Sequence, residues 1–134
     1  MVKTSLKQNI SILSISLTSG GAEKVISLLL KELKNDFNVT LVILYNSIHF
    51  SIPDEVELVI FCDNDTRRPF YLKIFDFFKF LPKYSRLIKT NKTDISISFL
   101  ALPNLMNGIV ATLNKKVKTI ISERGFPSDN TSAI

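Results

Sequence analysis

Cysteine, histidine and glycine are scarce in this chain of 134 residues, with one, one and four copies. A single cysteine, Cys62, excludes an internal disulfide and removes the basis for a cysteine-built zinc site. A single histidine, His49, excludes a multi-histidine metal centre and has no visible partner, so a surface role is expected for it. Neither the GxGxxG dinucleotide fingerprint nor the GxxxxGK phosphate loop is present. Asp63 and Asp65 stand in a CDNDT run whose spacing misses the calcium-loop pattern, so no metal is assigned there. No apolar run approaches the ~20 residues of a membrane-spanning helix. Ile10 to Leu17 alternates with serine and lacks a small-residue cleavage site, which makes it a strand and not a signal peptide. These features are those of a cytoplasmic protein.

What is present is an ordinary globular composition. Apolar residues make up 46% and charged residues 22%, which excludes intrinsic disorder and allows one core. The net charge of +5 is concentrated. Between Arg67 and Lys92 lie eight basic residues and one acid, Asp76, so this segment carries +7 and the remainder −2. Any anionic partner must therefore be met by that segment.

Apolar patterning alternates strands with helices. Strands are expected at Asn9–Leu17, Asn38–Tyr45, Val56–Phe61, Asp94–Leu100 and Val117–Ser122. Helices are expected at Ala22–Asp36, Arg67–Asn91 and Leu102–Asn114, with Pro82 kinking or splitting the second. Near-continuous apolar strands separated by helical crossovers predict a parallel sheet covered on both faces, hence a Rossmann-like, doubly wound α/β unit. Asn46–Glu55 is too short for a helical crossover and leaves a hairpin or an irregular connection open.

Ligands of such sheets sit at the carboxyl ends of the strands. Four segments fall there: Thr18–Gly21, Cys62–Thr66, Leu100–Asn104 and Glu123–Pro127. In the first, Ser19, Gly20 and Gly21 join a strand to a helix. Glycine lets the backbone turn sharply and approach a ligand, and the helix N-terminus presents free N–H groups to an anion. A tight turn with no ligand fits the same residues. Asn104 is the polar candidate of the third segment. In the fourth, Arg124 can hold phosphate or carboxylate with two prongs and Glu123 can accept sugar hydroxyls or act as a base; a surface ion pair is the simpler reading.

The basic segment also carries more apolar residues than one buried helix face uses. Phe70, Phe77, Phe78, Leu81 and Ile88 suffice for packing. Leu72, Phe75 and Phe80 are then surplus, interleaved with Lys73, Lys79, Lys83 and Arg86. Surplus apolar groups beside clustered cations suit an interfacial helix on anionic lipid, unless neighbouring structure covers them. No nucleic-acid-binding pattern appears, so no nucleic-acid partner is expected.

SGGAEKVISLLLKELKNDFNVTLVILYN and TDISISFLALPNLMNGIVATLNKKVKTIISERGFPS together resemble the N-terminal domain of GT-B glycosyltransferases of family 4. Lys24 stands where arginine is usual, Thr93 replaces a usual proline, and Gly125 with Phe126 replaces a polar pair. The resemblance implies the acceptor-binding portion of a retaining, nucleotide-sugar-dependent glycosyltransferase of surface polysaccharide or lipid-linked glycan synthesis. It implies a sugar or lipid-linked sugar acceptor, a nucleotide-sugar donor for the complete enzyme, no tightly bound cofactor and no metal. It places Gly20 and Gly21 in the cleft and Glu123 and Arg124 on the acceptor side, with the basic helix at the inner face of the membrane.

The donor domain of that family carries two glutamates eight positions apart. Glu23, Glu32, Glu55, Glu57 and Glu123 include no such pair. Residues 1–134 are accordingly expected to be one incomplete N-terminal domain, inactive alone, with the donor-binding domain supplied in cis or in trans. No catalytic residue is assigned. The alternative is a noncatalytic Rossmann-like subunit that recruits a glycosyltransferase to the membrane.

Overall fold

The computed structural model describes residues 7–15, 21–46, 48, 51–62, 69–99 and 101–122. Five strands and three helices follow one another as β1 (Asn9–Ser14), α1 (Gly21–Leu33), β2 (Asn38–Tyr45), β3 (Glu57–Cys62), α2 (Phe70–Thr90), β4 (Ile95–Phe99), α3 (Ala101–Leu113) and β5 (Lys118–Ser122). The strands form one sheet in the order β3-β2-β1-β4-β5. Every pairing is parallel, with Ile12 opposite Leu41 on one side and Ile97 on the other. The fold is therefore the Rossmann-like α/β sheet that the apolar patterning predicts.

Burial explains the patterning. β1 and β2 lie inside the sheet with helices or loops on both faces, and almost every residue of both is buried. On one face α1 sets Ile26 and Leu30 against Ile10, Ile12, Leu41 and Ile43. On the other, α2 and α3 set Phe77, Phe80, Tyr84, Met106 and Val110 against Leu13, Val42 and Leu44. Full burial of each such side chain is worth about 1.5–3 kcal/mol, which makes this double layer the main source of stability.

The connection from β2 to β3 joins parallel strands, so it is an irregular crossover and not a hairpin. Ile48, Ile52 and Val56 pack it onto the α1 face, where they do the work of a helix. α2 is one helix from Phe70 to Thr90 with exposed Pro82 inside it, so the proline does not split it; the ring lacks the N–H that would bond the Phe78 carbonyl. Pro82→Ala restores that bond and is expected to raise stability by about 1–2 kcal/mol, read as a shift in the urea midpoint at constant m-value.

The buried stripe of α2 is Asp76, Phe77, Phe80, Tyr84 and Ile88. Phe80 is 2% exposed, so it belongs to the core and not to a membrane-facing surface. Its ring meets Tyr45 edge-on at 5.9 Å between centroids and Phe61 at 5.4 Å. Phe78, expected inside, is 64% exposed. The stripe is rotated from the apolar reading because two of its members, Asp76 and Tyr84, are polar.

Candidate functional site

The carboxyl edge of the sheet is formed by Ser14, Tyr45, Cys62, Phe99 and Ser122, where the five strands end. All three helices begin at this edge, so three N-termini, the positive ends of the helix dipoles, lie along it. Gly21 is the first residue of α1. Ser19, Gly20, Glu123 and Arg124 lie outside the described residues, as do His49, Asp63 and Asp65.

Asn104 stands on the first turn of α3 and is buried. Its Oδ1 accepts the Ser98 hydroxyl at 2.8 Å, and its Nδ2 donates to the Ser122 carbonyl at 3.0 Å. Asn104 thus ties the start of α3 to the ends of β4 and β5.

That pair of bonds is the end of a longer chain. Ser96 Oγ donates to Asn107 Oδ1 at 2.7 Å, and Asn107 Nδ2 donates to Ser98 Oγ at 3.0 Å and to the Ser96 carbonyl at 3.2 Å. With the Ser96 hydrogen spent on Asn107, the 2.6 Å contact between Tyr84 OH and Ser96 Oγ has tyrosine as donor. The 2.8 Å contact of Ser11 with Tyr84 then has serine as donor. Ser11, Tyr84, Ser96, Ser98, Asn104 and Asn107 are all buried. Burial pushes the Tyr84 hydroxyl up to about 12, with the Ser11 and Ser96 bonds acting the other way. The chain locks α2 and α3 onto β1 and β4 and runs to the carboxyl edge.

A second polar pair sits at the same edge. Tyr45 OH donates to Asp76 Oδ2 at 2.9 Å, with both residues buried. The pair fixes the first half of α2 against the end of β2. Asp76 carries no apolar periodicity and the sequence offers no signal for its partner. Lys73 Nζ lies 6.0 Å from the Tyr45 ring centroid, half-buried, and Lys83 Nζ lies 5.7 Å from the Phe61 ring. Both ammonium groups lean on aromatic faces while their stems line the helix.

Beyond these, α2 turns an apolar and basic stripe outward. Tyr71, Phe75 and Phe78 are each about two-thirds exposed, Ile74 is 44% exposed, and Lys79 and Arg86 are exposed. Phe75, Lys79, Lys83 and Arg86 therefore share a surface, whereas Lys73 lies at its margin and Phe80 beneath it. The aromatic end of the stripe is the end next to the carboxyl edge, since α2 starts there. Among the described residues no group of three or more His, Cys, Asp or Glu side chains could hold a metal ion. Nor is any described helix long and apolar enough to cross a membrane.

No family model matches the chain. It is 31% identical over 124 residues to the N-acetylgalactosamine-N,N'-diacetylbacillosaminyl-diphospho-undecaprenol 4-alpha-N-acetylgalactosaminyltransferase of Campylobacter jejuni. The match takes in 90% of this chain and 33% of that enzyme, so the chain spans about a third of the relative's length. The chain thus resembles the N-terminal part of a glycosyltransferase of lipid-linked glycan synthesis.

Proposed function

We propose that this domain is the acceptor-binding, N-terminal portion of a retaining glycosyltransferase that extends a lipid-linked glycan at an anionic membrane surface. The observation that carries the proposal is the match along 90% of the chain to an enzyme whose acceptor is a diphospho-undecaprenol glycan. The sheet supports it, because three helix N-termini face one edge and suit a diphosphate. In this reading Ser19, Gly20 and Gly21 approach the acceptor phosphates, and Glu123 and Arg124 hold its sugar. Asn104 acts by holding the end of β5 at Ser122, the residue that Glu123 and Arg124 follow. The nucleotide-sugar donor would be held by a second domain, in cis or in trans.

The outward stripe of α2 gives the membrane its place in the proposal. Phe75 and Phe78 would enter the headgroup layer beside the cleft, and Lys79, Lys83 and Arg86 would meet lipid phosphates. Each cation near such a surface contributes about 1 kcal/mol. Changing Lys79, Lys83 and Arg86 to glutamate is expected to weaken binding to phosphatidylglycerol vesicles by about tenfold or more, and added salt to weaken the unchanged protein likewise. Co-sedimentation measures both. Equal binding by the two proteins would remove the membrane from the proposal. Acceptor binding is tested separately, by titrating the domain with a water-soluble diphospho-glycan; saturable binding lost in Gly21→Val supports the reading, and no binding sinks it.

A further inference from the structure

Helices α2 and α3 leave a groove between them on the side away from the sheet. Leu81, Pro82, Ile109, Val110 and Leu113 line it, and its volume is about 470 Å³. Toward the amino edge it continues, past Lys89 and Leu113, into a hollow of about 630 Å³ lined by Lys92, Lys115 and Lys116. The two spaces adjoin at Lys89 and Leu113, which line both, and the trough they make has apolar groups along α3 and cations along α2 and at its end.

The apolar part is unusual in its exposure. Ile109 and Leu113, four residues apart on α3, are 37% and 66% exposed. The one hydroxyl in the groove, Ser85, already accepts from Asn114 Nδ2 at 3.2 Å. The cationic part is unbalanced. Arg86, Lys89, Lys92, Lys115 and Lys116 border the trough, and the only ion pair among the described residues joins Lys34 to Glu55 elsewhere. Asp94 is the one acid there, and its carboxylate accepts the Asn9 N–H at 2.8 Å. Two helix C-termini also end nearby, each equivalent to about half a negative charge, which leaves roughly three positive charges over.

We propose that this trough binds a single-chain lipid phosphate, with its hydrocarbon along α2 and α3 and its headgroup among Lys92, Lys115 and Lys116. Charge complementarity selects an anionic head. The apolar wall of Leu81, Pro82, Ile109, Val110 and Leu113 favours hydrocarbon. Both volumes fall in the ~300–1,000 Å³ range of small-molecule pockets. The site lies at the opposite edge from the proposed cleft and does not depend on the glycosyltransferase reading. None of Tyr71, Phe75 and Phe78 lines it.

The test is titration of the whole chain with dodecyl phosphate below its micellar concentration, followed by calorimetry and amide NMR. Saturable binding is expected, with shifts concentrated in the C-terminal halves of α2 and α3. Ile109→Glu, and separately Lys115→Glu with Lys116→Glu, should each weaken it by about tenfold. All three positions are exposed, and far-ultraviolet circular dichroism checks that the variants fold. Phe75→Ser with Phe78→Ser should leave dodecyl phosphate binding unchanged while reducing vesicle binding, which separates the trough from the outer stripe. Inorganic phosphate binding as tightly as dodecyl phosphate would overturn the proposal, since the groove would then contribute nothing. Equal affinity in the variants, or shifts confined to Tyr71–Phe78, would overturn it as well. So would an acidic peptide that binds as tightly as dodecyl phosphate and is lost in the same variants.

Discussion

Asn107→Ala is expected to destabilise the domain by about 3 kcal/mol, although Asn107 touches no proposed ligand. Its side chain is 1% exposed and makes three hydrogen bonds to Ser96 and Ser98. Alanine leaves the Ser96 hydroxyl hydrogen, the Ser96 carbonyl and a Ser98 lone pair without that partner in a dry layer. An orphaned buried group costs about 1–3 kcal/mol, and the cavity adds to it. The urea midpoint should fall with the m-value unchanged. Adding Ser96→Ala and Ser98→Ala should not recover the loss, because each serine also serves a second buried partner, Tyr84 and Asn104, which those changes leave short of a bond. A loss below about 1 kcal/mol for Asn107→Ala would mean that water replaces the amide and that the layer is not dry.

The same layer shows where sequence reasoning succeeds and where it stops. β1 and β2 are legible because a strand covered on both faces must be apolar throughout, and NVTLVILY can hardly be anything else. β4 is different. In ISISF isoleucine alternates with serine, the general mark of a strand with one polar face. Yet Ser96 and Ser98 are fully buried, and Ile95 and Ile97 are only half-buried on the α1 face. The serines face inward because Tyr84, Asn104 and Asn107 satisfy them, and those partners come from the two helices that precede and follow the strand, 6 to 12 residues away. Pairing of this kind has no local period. The face of α2 was hidden for the same reason. Counting only apolar residues puts Phe78 inside and Phe80 outside, whereas the stripe that contains Asp76 and Tyr84 puts Phe80 inside.

The candidate site was legible as a location more than as a set of contacts. The rule that ligands gather at the carboxyl ends of parallel strands picks out the edge where Gly21 and Asn104 are found. It does not reveal that Asn104 is engaged by Ser98 and Ser122, nor that Tyr45 and Asp76 meet there. The excess of charge between Arg67 and Lys92 was plain from counting. Its division into an outward stripe and a trough beside α3 depends on which helix packs next to which, and that is a property of the fold.

The stability of the domain is expected to fall by roughly 2–3 kcal/mol as pH rises from about 10 to about 12, through Tyr84 alone. In the unfolded chain the phenol loses its proton near 10, the ordinary value for tyrosine. In the folded domain burial pushes the group up to about 12. Between these values the unfolded state binds fewer protons than the folded state, so raising the pH favours unfolding by about 1.4 kcal/mol per unit. Below pH ~10 the contribution is fully present, and it is lost as the pH passes through the folded value. Many lysines titrate in the same range, so the informative quantity is a difference. Tyr84→Phe removes the phenol and leaves Ser11 and Ser96 short of a partner, at a cost of about 1–2 kcal/mol near neutral pH. Urea unfolding of both proteins near neutral pH and near pH ~11 should therefore show the gap between them shrinking or reversing in alkali. An unchanged gap would mean that the folded and unfolded phenols titrate alike. The hydroxyl would then have access to water, and the chain from Ser11 to Ser122 would be open at its centre.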